Sequence, residues 1–202
     1  MACEYSILLF RVLLAYKHTR FLLARLHVDS LRDKKTKKKI LLALDTLSKG
    51  SEALDEAYSE AIKRIEGQLE GDRTVAKNVL SWITCAQRQL TTAELRHALA
   101  VELGEEELDP DNVPDIKDVV SVCAGLVIVD EESDIIRLVH YTTQGYFERI
   151  REKWSPSVQL DITSTCLTYL CFNAFRSGSC PSDGDFISRL EQNIFLGYAA
   201  RY

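Results

Sequence analysis

Glycine and proline are scarce, nine and four in 202 residues, and methionine occurs once. A chain with so few turn-formers and helix-breakers reads as helix-rich and globular rather than disordered, and its 46% apolar content is enough for a real core. Catalytic motifs are missing as well. No glycine is followed by lysine, so there is no Gly-x-x-x-x-Gly-Lys-Ser/Thr loop to cradle phosphates with backbone N–H groups. Gly-x-Gly-x-x-Gly and the Gly-x-Ser-x-Gly nucleophile elbow are absent too. The cysteines, at 3, 85, 123, 166, 171 and 180, never form Cys-x-x-Cys, and the histidines at 18, 27, 97 and 140 never pair at metal-binding spacing. Nothing in these patterns supports catalysis by this chain alone, and a zinc site lacks its paired ligand spacing. The middle four cysteines sit in apolar stretches and read as buried, reduced thiols of a cytoplasmic protein.

No apolar run is long enough to span a membrane. The longest, "YSILLFRVLLAY" at 5–16, is interrupted by Arg11 and closed by Lys17, His18 and Arg20. It falls short of the roughly 20 residues that a spanning helix needs. It reads as a buried helix, and Glu4 together with the lack of a small-residue cleavage site argues against a signal peptide.

Charge is present but unevenly spread. The net charge is -5, yet residues 1–50 carry 11 Lys and Arg against 4 acids, while 88–153 carry 7 against 15. The basic part contains the run Lys34-Lys35-Thr36-Lys37-Lys38-Lys39, which opens the helical pattern of 36–50, the unfavourable end for the helix dipole. It reads as a solvated face. Helical spacing of apolar residues recurs at 21–33, at 36–50 with Gly50 as its stop, and at 54–71 with Leu54, Tyr58, Ile62, Ile65 and Leu69 on one stripe.

From residue 72 the pattern changes. A helix over 72–87, capped by Asp72, carries Val75, Val79, Leu80, Trp82 and Ile83 inward. In "QLTTAELRHALAVEL" (89–103), Thr91 stands three residues before Glu94, the spacing of a capping box, and Leu95, Leu99 and Val101 give the apolar face. An acidic loop at 104–115 leads to a short helix over 115–126, capped by Asp115 and ended near Gly125. "LVIVD" (126–130) and "IIRLVH" (135–140), separated by four polar residues, read as a hairpin, and Tyr146 and Phe147 belong to the core of the helix that closes it. Three helices and a β wing describe a winged helix. The fold class is therefore mainly α: a helical segment, a winged helix, and a C-terminal helical region with helices at 160–175, 183–193 and 194–202.

Winged helices often bind DNA, which requires basic residues that neutralise phosphates. The recognition helix here would be "DIKDVVSVCAG", one Lys against two Asp in the most acidic part of the chain, and nucleic acid is not the expected partner. The acids Glu105-Glu106-Glu107 and Glu131-Glu132 read as solvated loop residues.

The blocks "FLLARLHVDSL", "AYSEAIKRIE", "AKNVLSWITCAQRQLTTAELRHALAVE", "VVSVCAGLVIVDEESDIIRLVHYTTQGYF" and "TCLTYLCF" together resemble fungal NACHT–ankyrin proteins, which are NLR-like signal-transduction NTPases. The central part resembles the GPI inositol-deacylase winged-helix domain. The resemblance covers about 21–202 and implies three parts: 1–71 as a helical segment like the end of a NACHT module, 72–153 as the winged helix, and 154–202 as a connector toward ankyrin repeats. It implies a regulatory and interaction module, not an enzyme, whose partners are a neighbouring NTPase and ankyrin repeats or other proteins. ATP/ADP or GTP/GDP would be bound by a full-length parent, and no cofactor by this chain. One alternative is a truncated remnant of such an ATP- or GTP-binding switch enzyme, and another is a DNA-binding winged helix.

The resemblance also marks His140. Related NTPases carry a Met-His-Asp motif at this place, whose histidine faces the bound nucleoside diphosphate in the closed state. Val139-His140-Tyr141 keeps only the histidine. The competing expectation is that His140 merely caps the strand end by bonding a backbone carbonyl.

Overall fold

The computed structural model describes residues 36–45 and 51–202. The apolar stretches at 5–16 and 21–33 and the helix stop at Gly50 lie outside the described residues. Helix α1, Lys37–Asp45, has no acid in its first turn, and Lys38 and Lys39 are exposed there, as a solvated basic face requires. Ile40 is its buried residue.

Helix α2, Ser51–Glu66, buries Tyr58, Ala61 and Ile65 along one stripe. The expected continuation to residue 71 does not occur. The chain turns over Gly67 to Leu69, and Leu69, assigned to the stripe, is 80% exposed. A Cβ at Gly67 would stand 3.3 Å from the Lys63 carbonyl oxygen, so a side chain there would crowd the end of the helix. Helix α3, Glu70–Cys85, then starts two residues earlier than expected. Asp72 is not its cap. The N-cap position is Leu69, and Asp72 lies in the first turn, where its charge still suits the helix dipole.

α3 is the central element. Ala76, Val79, Leu80 and Trp82 are buried on it, and it touches α2, the three later helices over 92–100, 116–122 and 141–154, and the helix over 158–170. Residues 89–103 are not helical throughout. Leu90–Thr91 form a short strand, β1, and helix α4 spans Thr92–Ala100. The expected capping box is present: the Thr91 side chain accepts from the Glu94 N–H (3.1 Å), and the Glu94 carboxylate accepts from the Thr91 N–H (3.0 Å). An N-cap residue has extended backbone, so the cap itself makes Leu90–Thr91 available for strand pairing.

After the acidic loop, helix α5 covers Ile116–Val122, and Asp115 caps it by accepting from the Lys117 N–H (2.7 Å). It ends sooner than expected. Ala124 (φ 51°) and Gly125 (φ 82°) take left-handed backbone and turn the chain into the wing. Strands β2, Val127–Asp130, and β3, Ile135–Leu138, make the expected hairpin, two residues shorter at its far end. The sheet order is β1-β3-β2, all antiparallel, with Leu90 opposite Ile136 and Val129 opposite Ile136 on the other side. Helix α6, Tyr141–Trp154, closes the unit.

The C-terminal region holds α7 (Val158–Leu170), a single 3-10 turn at Asn173–Phe175, α8 (Asp183–Gln192) and the short α9 (Leu196–Ala199). The expected long helices at 160–175 and 194–202 are thus each broken. One core runs through all of this. Trp82, Leu95, Val119, Leu126, Ile136 and Phe147 join Tyr169, Phe195 and Tyr198 in it. Leu99 and Tyr146 only pack against its margin. No helix among the described residues is long and apolar enough to cross a membrane.

Candidate functional site

His140 stands where β3 hands over to α6. Its backbone is extended (φ -155°, ψ 151°), and it is the N-cap of α6. The residue does not bond a backbone carbonyl through its ring, as the simpler expectation held. Instead its Nδ1 accepts from the Thr142 N–H (3.3 Å) and lies 2.8 Å from Thr142 Oγ1. The ring therefore does the work usually given to a Ser or Asp cap.

Behind the ring runs a chain of hydroxyls. Thr143 Oγ1 donates to Tyr58 OH (3.2 Å), and Tyr58 OH lies 2.6 Å from Thr142 Oγ1. Each hydroxyl has one proton to give. The set closes when Thr143 donates to Tyr58, Tyr58 to Thr142, and Thr142 to Nδ1. Nδ1 is then the bare nitrogen and Nε2 carries the hydrogen. The Thr142 N–H bond to Nδ1 already requires this tautomer, and the hydroxyl chain that ends on Tyr58 of α2 agrees with it.

The ring lines a groove of about 380 Å³ between the end of α3, the lead-in to β1, β3 and the first turn of α6. Its polar lining includes Arg88, Arg137, His140, Tyr141 and Gln144, over a floor that includes Leu90, Ile136 and Leu138. Tyr141 is exposed and its ring lies 4.3 Å from that of His140. Arg88 is held in place. It makes a two-pronged ion pair with Glu94 (2.6 and 2.8 Å) and lies over the Tyr198 ring. Burial acts to raise the Glu94 pKa, but the bonds from Arg88 and Thr91 outweigh it and hold the carboxyl below its ordinary value. Arg137 is held loosely, 3.4 Å from Asp130 across an exposed strand face. The groove can therefore present an imidazole N–H, one fixed and one movable guanidinium, and the positive end of a helix to an anion. A phosphate end fits that set of donors. A cradle for base and ribose is not part of it.

Sequence reasoning singled out His140 and missed the rest of the groove. Arg88 and Arg137 are 49 positions apart in the chain, and only the β1–β3 pairing brings them to one place. Tyr58 had been read as one apolar stripe residue among five, and nothing in its spacing marks its hydroxyl as a partner for α6.

The other candidates stay apart. His97 is half-buried on α4, and desolvation together with nearby Arg96 lowers its pKa. His18 and His27 lie outside the described residues. Glu105, Glu107, Glu131 and Glu132 are exposed, as expected of loop acids. Glu106 does more: its carboxylate takes bonds from Asn173 (3.1 Å) and Arg176 (2.9 Å) and straps the acidic loop to the C-terminal region. On α5, Lys117 is flanked by exposed Asp115 and Asp118, so the face that would meet DNA is acidic. Cys123 is buried, its thiol pushed up to about 12 by desolvation, and Cys166 is buried too. Cys171 corrects the expectation of burial: it follows the last turn of α7 on the outer side and is exposed. Among the described residues, no three His, Cys, Asp or Glu side chains come together as a metal site.

Comparison with known families agrees with this architecture. Residues 61–153 match the family described as GPI inositol-deacylase, winged helix domain. The match runs from the middle of α2 to the last turn of α6, and it includes every element that lines the groove. No curated protein and no solved structure matches the chain.

Proposed function

We propose that this chain is a non-catalytic regulatory and interaction module. Its winged helix and helical connector relay the nucleotide state of a neighbouring NACHT-type NTPase to ankyrin repeats, in NLR-like signalling or self/non-self recognition. The observation that carries this reading is the setting of His140. Its Nδ1 is taken by the Thr142 N–H, which leaves Nε2–H as the ring's donor, in a residue that lines a groove together with Arg88 and Arg137, a suitable contact for a β-phosphate held by another domain. His140 and Arg137 would meet that phosphate. A bound nucleotide would supply the charge that draws the two domains together, and the residues of this chain would read it rather than hydrolyse it.

The rest of the fold supports a relay. The winged helix is bonded to α2 through Tyr58 and to the C-terminal region through Glu106 and Tyr198, so 51–202 is built to move as a rigid body. The acidic face around α5 argues against duplex DNA as the partner.

Calorimetry with ADP and ATP tests the reading. The purified chain should show no micromolar nucleotide binding, because one phosphate contact without a base and ribose pocket is weak. Micromolar ADP binding would mean that the chain is instead the remnant of a switch enzyme. In a full-length homologue with a phosphate loop, replacing the residue equivalent to His140 by Ala should weaken diphosphate retention or cause autoactivity. Unchanged retention and activity would return His140 to a purely capping role.

A further inference from the structure

The groove contains one cation whose present bond is poor. Arg137 reaches Asp130 at 3.4 Å, and both side chains are well exposed, at 42% and 35%. An exposed, long ion pair contributes little. Arg88, by contrast, is committed to Glu94 at 2.6 Å and to the Tyr198 ring. Asp130 has a second task. Its carboxylate accepts from the N–H groups of Glu132 and Ser133 (both 3.3 Å) and so shapes the turn at the wing tip. The wing tip and the groove therefore share a residue pair, Asp130 and Arg137.

We propose that the groove is an oxyanion site in which Arg137 leaves Asp130 for a bound phosphate group, so that occupancy of the groove is reported at the wing turn. This rests on the phosphate-facing reading of His140 and adds the cation that answers it. The donors line the groove from three elements: the His140 ring from the α6 cap, Arg137 from β3, and Arg88, held by Glu94, before β1. An oxyanion offers Arg137 the two-pronged geometry that Asp130 does not. When Arg137 departs, Asp130 loses its only guanidinium among the described residues and is left to the turn amides. Of the acids bonded to groove residues, Glu94 is already matched by Arg88, and Glu148 is bonded by Gln144. The exchange is therefore local to Asp130.

The experiment is a ¹H–¹⁵N NMR titration of the full chain with inorganic pyrophosphate, at low ionic strength, against potassium chloride matched in ionic strength. The amides of Tyr141 and Thr142 and those of Glu132 and Ser133 should move together, with a single millimolar Kd, and should not respond to chloride. Asp130→Asn keeps an acceptor for the turn amides but frees Arg137. It should tighten pyrophosphate binding by about two- to fivefold, the equilibrium equivalent of releasing an exposed ion pair. Arg137→Gln should abolish both sets of shifts, and Arg137→Lys should restore part of them, which guards against a simple folding defect. If the wild-type chain shows no pyrophosphate-specific shifts, the groove is not an oxyanion site and this proposal is overturned, while the phosphate-facing reading of His140 is decided separately by the alanine variant of the full-length homologue. If the α6 amides respond while the wing amides stay still and Asp130→Asn leaves the Kd unchanged, the exchange alone is overturned.

Discussion

The winged helix is held on two sides by seams of different chemistry. Toward α2 the specific contacts are mostly polar, beside one ring contact between Tyr58 and Tyr146 at 5.1 Å. Tyr58 meets Thr142 and Thr143, Arg64 and Gln68 donate to the carbonyls of Ala124 and Val122, and Arg149 pairs with Asp55. Toward the C-terminal region they are mostly aromatic. Trp82 packs edge-on against Phe195 and Tyr198 at 5.6 and 5.8 Å, and Phe195 meets Tyr169 edge-on at 5.2 Å. Dispersion and burial set the strength of the second seam, and they are insensitive to small rotations. Hydrogen-bond direction sets the first, and it is lost in steps. A relay needs both kinds of joint: one that transmits position and one that can be rewired. The groove with His140 lies at the polar seam.

The largest effect should come from the aromatic seam. Phe195 is fully buried and touches three other rings. Phe195→Ala should cost about 3–5 kcal/mol, the usual range for truncating a buried phenylalanine. Urea unfolding followed by tryptophan fluorescence measures it, since Trp82 reports directly from that contact. A loss below about 1 kcal/mol, typical of a surface position, would mean that the C-terminal helices only rest on the winged helix.

Tyr58→Phe tests the polar seam with a smaller expected cost. Removing one hydroxyl leaves Thr143, which is fully buried, without its acceptor. An unsatisfied buried hydroxyl costs about 1–3 kcal/mol. The change should also reach His140. Thr142 Oγ1, no longer paired with Tyr58, is free to turn away from Nδ1, so the His140 ring ¹⁵N shifts should move, while the Thr142 N–H keeps Nδ1 as an acceptor. Equal stability and unchanged ring shifts would break the contrast between the two seams.

The contrast also shows what could be read in advance. Local rules carried far: Thr91 with Glu94 gave the capping box, Asp115 the start of α5, and the β-branched runs at 126–130 and 135–140 the wing. Each depends on residues within a few positions of each other. The strand at Leu90–Thr91 was missed because its reason is the distant partner Ile136 rather than its own two residues. The break after Glu66 was missed because apolar periodicity continues through Leu69, although Gly67 cannot carry a side chain comfortably there. His140 was legible as an anomaly, a histidine at a strand end. The hydroxyl chain behind its ring was not, because that chain ends on a tyrosine 82 positions earlier in the sequence. Arg137 was invisible as a site residue for the same reason.

The smallest effect separates charge from hydrogen bonding within the polar seam. Arg149 pairs with Asp55 and lies 5.7 Å from the Tyr146 ring, but both charged side chains are more than half exposed. Solvent screens such a pair, and its contribution should be no more than about 0.5 kcal/mol. Arg149→Gln should therefore barely change the unfolding midpoint, and the small difference should vanish as salt shortens the reach of the charges. A double-mutant cycle with Asp55→Asn isolates the pair from the contact of Arg149 with Tyr146. A coupling well above that range, persisting at high salt, would mean that the α2 seam is anchored by charge at its rim. In that case the Tyr58 hydroxyl would bear on the His140 cap without holding the helices together, and cap and stability could be altered independently.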